Sequence, residues 1–209
     1  MKKQMDKLKK KTSSNKRIII FLFGLFIIGL IVGSLFVTII SKTDQALVKE
    51  YVKEFIARID KGKLNYIDAF KNTSISNITF LIIAWLLGLS VIGIPIVIFM
   101  YFSKSFILGF SLSSFILQYK AKGILVAIFY FFPHHIINML SYTLMMIYSL
   151  KISYILINSI IKKKSINFKP IMNRYLMILG ICISMVIVAA LYECFIVPFI
   201  IQKFVGVLS

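Results

Sequence analysis

The chain has 209 residues, 59% of them hydrophobic and only 15% charged, with a mean hydropathy of +0.92 and a formal net charge of +18. Soluble domains run at roughly 45–50% apolar and about 25% charged residues, so this composition excludes an ordinary soluble enzyme and requires lipid as solvent for much of the surface. The positive charge also argues against nucleic acid, because eight of the 25 Lys and Arg residues fall in the first 17 positions and most others border apolar runs, the pattern that orients membrane proteins.

Residues 1–17 read as a basic cytoplasmic tail without fixed structure, suited to anionic headgroups at about 1 kcal/mol per basic residue near the surface. Residues 18–209 read as one transmembrane helical domain. Its first span, Ile18 to Ile40, is 23 residues without a charge. That is about 34 Å of helix against a hydrocarbon core of about 30 Å. A secretory signal has an apolar core of only about 7–15 residues and a cleavage site, so this span is retained with its amino terminus in the cytoplasm. Gly29 and Gly33 form a GxxxG pair that lets a second helix approach closely.

Residues 41–76 form the longest polar connection, with seven basic and five acidic residues, placed outside the cytoplasm. Leu47, Tyr51, Phe55 and Ile59 recur every four residues beside Val48, Val52 and Ile56, which predicts an amphipathic helix. Thr43 or Asp44 would cap it, Gly62 would stop it, and Glu54 and Arg58 would pair along its polar side. Leu64, Ile67 and Phe70 continue a shorter apolar pattern. The helix either lies on the outer leaflet and bundle or offers Tyr51, Phe55 and Ile59 as a docking surface.

Asn77 to Phe102 is the second run, with a kink expected at Gly93 and Pro95 because proline lacks the backbone donor. Lys104 then marks the cytoplasmic side. Ser105 to Tyr119 is a short third run whose Ser105, Gly109 and Ser113 place small residues on one face. After a turn at Lys120, Lys122 and Gly123, a fourth run begins at Ile124. It is interrupted at Phe132-Pro133-His134-His135 and, past Lys151, reaches Ile161. Lys162, Lys163, Lys164, Lys169 and Arg174 make a basic connection, and Tyr175 to Ile201 is the fifth run. The expected fold is therefore all-α, a polytopic bundle of about five spans with kinked or broken helices; four or six spans stay open.

Catalytic patterns are sparse. GxSxG, HExxH, Walker and Rossmann patterns do not occur in the sequence, and Cys182 and Cys194, twelve apart on one helix, read as packing residues. His134 and His135 are neighbours, so they diverge by about 100° on a helix and lack the spacing of a metal-binding pair. His134, directly after a proline, reads as a donor to carbonyls freed by the break. Glu193, the one acid in an apolar run, reads as an interfacial or structural pairing residue, with ion coupling as the sharper alternative. No cofactor or metal is expected.

The segment AWLLGLSVIGIPIVIFMYFSKSFILGF, Ala84 to Phe110, resembles the second span and following Lys-containing run of the stage II sporulation protein M family of bacterial membrane proteins. The matching positions are Gly88, Gly93, Pro95, Lys104 and Gly109, with Asn77 before them and Pro133-His134 as the family's later break. The layout is similar from about residue 18 to 201. Broader relatives follow Pro-His with Gly, where this chain has His135, and carry an acid where Asn138 stands. The family also commonly has Gly where this chain has Ser105. The resemblance implies a non-catalytic scaffold in the mother-cell membrane at the sporulation septum. It would recruit the peptidoglycan-degrading stage II sporulation proteins D and P during engulfment. The alternative from the residues themselves is a transporter or permease component, since broken helices build mid-membrane sites in such proteins.

Overall fold

The computed structural model describes the backbone at residues 2–60, 65–130, 132–163, 165 and 167–200, with side chains from Lys16 onward except at 60, 121–123, 125–130 and 132. Gly62 and Leu64 lie outside the described residues. Among the described residues there are six long helices and a π-helical turn: α1 (Lys2–Ile39), α2 (Lys42–Asp60), α3 (Tyr66–Gly88), α4 (Gly93–Tyr130), α5 (Phe132–Lys162) and α6 (Phe168–Leu191), with the π turn at Tyr192–Ile196. Five segments among the described residues are long and apolar enough to cross a bilayer: Lys16–Ile39, Tyr66–Gly88, Gly93–Lys120, Pro133–Lys162 and Phe168–Ile200. The all-α bundle of five spans is thus as expected, but several boundaries differ.

The basic amino-terminal segment continues the helix of the first span, since α1 starts at Lys2. The polar connection is shorter than 41–76, because α3 begins at Tyr66. There Asn65 caps it, accepting from the Asp68 N–H while its amide donates back to the Asp68 carboxylate. Asn77 therefore sits halfway along a span. Neither proline kinks a helix. Pro95 and Pro133 each lie in the first turn of a helix, where the missing N–H has no intrahelical partner to lose. The break falls instead between helices, at Leu89–Ile92, while Lys120, where a turn was expected, interrupts α4 with a φ of 50°. The third span is accordingly 28 residues long rather than 15. Lys104 lies inside it, 11 residues past Gly93, or about 16 Å along the helix.

The two stripes of small residues meet. A Cβ on Gly29 would approach Ser105 Cβ to 2.7 Å and the Phe102 carbonyl oxygen to 3.1 Å; one on Gly33 would strike the backbone of Phe106, and one on Gly109 the backbone of Leu30. Their absence lets α1 lie along α4 with backbones nearly touching, and the Ser34 hydroxyl donates to the Gly109 carbonyl at 3.1 Å. Gly88 is a second close approach, against Ser149 and Tyr175.

The core is centred on α5, with Met139, Tyr142, Met145, Met146 and Ile152 packed on Leu22, Leu81, Ala84, Val97, Tyr101, Tyr175, Cys182 and Val186. Both cysteines are buried and unbridged, as expected. The carboxyl end of α3 would leave four carbonyls orphaned in a lipid environment. All four are satisfied. Tyr175 OH donates to the Trp85 oxygen at 2.9 Å and the Ser153 hydroxyl to that of Gly88 at 2.8 Å. The backbone N–H groups of Leu89 and Ser90 serve Leu86 and Leu87 at 3.1 and 3.0 Å.

Helix α2 is amphipathic as expected, and Glu54 pairs with Arg58 at 3.3 Å. Its cap is Ser41 rather than Thr43 or Asp44: the Asp44 N–H donates to Ser41 Oγ at 3.1 Å, and the Ser41 hydroxyl donates to the Asp44 carboxylate at 2.7 Å. The apolar face packs Val52, Ile56 and Ile59 against Phe115 of α4 and Val197.

Candidate functional site

Polar side chains cannot be left unpaired in hydrocarbon, so where a span carries several of them they mark either an internal brace or a site. α3 carries Asn72, Thr73, Ser76 and Asn77; α4 carries Lys104; α5 carries His135, Asn138 and Tyr142; and Glu193 sits on the π turn that follows α6. These residues, with Ile107, Leu108 and Met139, line one cavity of about 330 Å³. That volume is at the lower end of ligand sites, roughly 300–1,000 Å³.

Each wall has a local cause. Pro133 opens α5, so His134 and His135 occupy its first turn and their rings lie 4.2 Å apart, centroid to centroid. The Nε2 of His134 faces the Glu193 carboxylate at 3.9 Å. Pro198 has no N–H for the carbonyl four residues earlier, and its ring would crowd that carbonyl. The π turn just before it relieves this: Val197 N–H reaches back five residues to the Tyr192 oxygen. The wider turn carries Glu193, and π-bulges occur frequently at functional positions. Asn77 is held by Tyr142, whose hydroxyl donates to Asn77 Oδ1 at 2.7 Å.

Lys104 is half-buried, with its ammonium 5.0 Å from the centroid of the Phe80 ring and 5.5 Å from that of Tyr142. Aromatic faces attract a desolvated cation by about 2 kcal/mol or more. Among the described residues no ion pair joins it to Glu193, although both line the same cavity. Asn138 is 4% exposed, and its Oδ1 has no hydrogen-bond partner among the described residues. No group of three or more His, Cys, Asp or Glu residues suited to a metal ion occurs among them.

Of the eight positions matched by resemblance, the structure brings Asn77 and Lys104 to the cavity and His134 to its rim through Glu193. Gly88 and Gly109 serve helix crossings. Gly93 packs on the backbone of Leu87 at the α3–α4 turn, Pro95 is exposed in the first turn of α4, and Pro133 opens α5. The proposed docking trio separates: Tyr51 is 75% exposed, Phe55 is half-buried with its ring edge-on to Phe115, and Ile59 is 1% exposed in the core. Ile59 is therefore a packing residue. Thr73 and Tyr142 were not singled out in the sequence; their placement at a helical spacing from Asn77 and Asn138 is the signal that was available.

The family model for stage II sporulation protein M matches residues 22–198, from within the first span to within the last. No curated protein and no solved structure matches the chain.

Proposed function

The chain belongs to the stage II sporulation protein M family, and from that premise we propose that it is a non-catalytic membrane scaffold that recruits and holds peptidoglycan-degrading proteins, stage II sporulation proteins D and P, at the sporulation septum during engulfment. The family match across all five spans is the observation that carries this reading. Charge distribution supports the placement. The amino-terminal segment and the α5–α6 connection, with Lys162, Lys163, Lys164, Lys169 and Arg174, hold the excess of basic residues and would be cytoplasmic. That puts α2 outside, where the wall is. Its outward face presents Leu47 and Tyr51, 50% and 75% exposed, one helical turn apart. An exposed aromatic beside an aliphatic residue is the kind of anchor that dominates protein interfaces.

The test is to delete the protein in its sporulating host and follow a fluorescent wall hydrolase at the septum. Dispersed hydrolase and stalled engulfment are expected; normal localisation and engulfment would refute the scaffold. The polar cavity favours a second reading, a permease component, under which loss of Lys104 or Glu193 would abolish uptake of a solute while leaving the hydrolase in place.

A further inference from the structure

The cavity is lined by two side chains of opposite sign that act on each other through space. Lys104 and Glu193 both line it, yet no ion pair joins them among the described residues. Opposite charges held apart in one low-dielectric space favour a molecule that places its own charges between them. The buried Asn138 Oδ1, without a hydrogen-bond partner among the described residues, adds a second acceptor to the lining beside Glu193's carboxylate. The Lys104 ammonium offers donors, and its rings of Phe80 and Tyr142 leave those donors unused. The complement of such a space is a molecule with an anionic oxygen group at one end and a primary ammonium at the other.

The mouth is lateral. The exposed lining residues are Asn72 and Ser76 of α3 and Ile107 of α4, all within spanning segments. Thr79, also exposed, continues the line Asn72, Ser76 along α3 at helical spacing. This polar strip explains why that span has a mean hydropathy of only 1.2, the lowest of the five. A polar strip on a lipid-facing surface, leading to a charged cavity, gives a head group a path between α3 and α4.

We infer that the cavity between α3, α4, α5 and the end of α6 binds a zwitterionic head group, its anionic oxygens on Lys104 and its primary ammonium on Glu193 and Asn138. The head group belongs either to a phospholipid such as phosphatidylethanolamine entering between α3 and α4, or to a free molecule of the same chemistry. This inference is independent of the scaffold role, since its readout is binding alone.

Delipidated full-length protein in maltoside detergent would be titrated by native mass spectrometry with phosphatidylethanolamine, phosphatidylcholine and phosphatidylglycerol, and separately with free O-phosphoethanolamine. Phosphatidylethanolamine is expected to bind at least about tenfold more tightly than the trimethylated and anionic lipids, a preference worth about 1.4 kcal/mol. Glu193→Gln should erase the preference over phosphatidylglycerol without abolishing phosphatidylglycerol binding, and Lys104→Met should weaken all phosphate-bearing ligands. Binding of O-phosphoethanolamine with no preference among the lipids would keep the site and assign the free source. Equal binding of all three lipids with no response to O-phosphoethanolamine would overturn the inference. That comparison uses the unaltered protein, so misfolding of a variant cannot obscure it.

Discussion

Replacing Tyr51 and Ile59 one at a time separates partner docking from helix packing on α2. The two residues lie on the same helix eight positions apart, but Tyr51 is 75% exposed and Ile59 is 1% exposed against Phe115 and Val197. Truncating an exposed side chain with no buried neighbours changes stability by about 0.5 kcal/mol or less. Truncating a buried isoleucine costs about 2–5 kcal/mol through lost transfer energy and the cavity left behind. Tyr51→Ala should therefore melt with the wild type in detergent while Ile59→Ala melts well below it. If the outer face of α2 holds the hydrolase, loss of an aromatic anchor costs about 2 kcal/mol or more of binding, roughly a 30-fold rise in Kd. The assay is a titration of the purified membrane protein against the extracytoplasmic part of its partner, with thermal melts in parallel. A Tyr51→Ala variant that binds with wild-type Kd would remove this face from the scaffold reading. An Ile59→Ala variant that melts normally would refute the packing argument.

Gly33→Leu should prevent α1 from seating on α4 and yield aggregated or degraded protein, whereas Gly24→Leu, with nothing within 4 Å of its Cβ position, should express and elute normally from a sizing column. Tyr142→Phe removes the 2.7 Å bond to Asn77 and should lower the unfolding free energy by about 0.6–1.7 kcal/mol, the range for hydrogen bonds between membrane helices, read from denaturant titration. Cysteines placed at Gln45 and Lys163 in a variant lacking Cys182 and Cys194 should label from opposite sides of intact cells, Gln45→Cys from outside; labelling of both from one side would break the five-span topology. Lys104→Met combined with Glu193→Gln should melt at or above the wild type, because replacing buried charges with uncharged groups of similar size is often neutral or stabilising by about 1–4 kcal/mol. A lower melting point would make the pair a structural brace.

What was legible in the sequence was whatever depends on spacing alone. Gly29 and Gly33 announced one close approach, Ser105 and Gly109 announced another small-residue face without saying that the two meet, and the four-residue apolar rhythm from Leu47 announced α2. What was not legible depends on which way a polar residue points. Thr73, Ser74 and Ser76 read as loop, and Asn77 as the edge of a span, because polar residues are counted the same whether they face lipid or neighbouring helices. In the fold, Ser74 and Asn77 are both 8% exposed, turned into the bundle. Prolines misled in the same way. A proline inside an apolar run signals a kink or a helix start with equal force, and only the neighbouring helix decides. Taking Pro95 as a start would have carried Lys104 from the membrane edge into the middle of its span.

That displacement of Lys104 changes what the molecule is built to tolerate. A lysine at the centre of a spanning helix costs about 2.5–3.5 kcal/mol on insertion scales. Snorkelling would relieve the cost most cheaply, but the ammonium stays against the packed rings of Phe80 and Tyr142 instead of reaching for an interface. The tyrosine that flanks the cation also donates to Asn77, so one side chain joins the cation on α4 to the amide on α3. On the facing wall, a π turn before Pro198 carries the acid that stands near His134. Two helices and the turn that ends a third thus bring uncommon features for a membrane interior to one volume: a charged lysine on α4, His135 and an unsatisfied amide on α5, and the widened turn after α6. Random substitution would scatter such costs over the bundle, whereas the core around Met145 and Val186 holds no charged side chain and, among the described residues, one unpartnered donor, Trp85 Nε1. Their concentration at one cavity is the physical argument that this part of the fold is shaped by a ligand and not by packing.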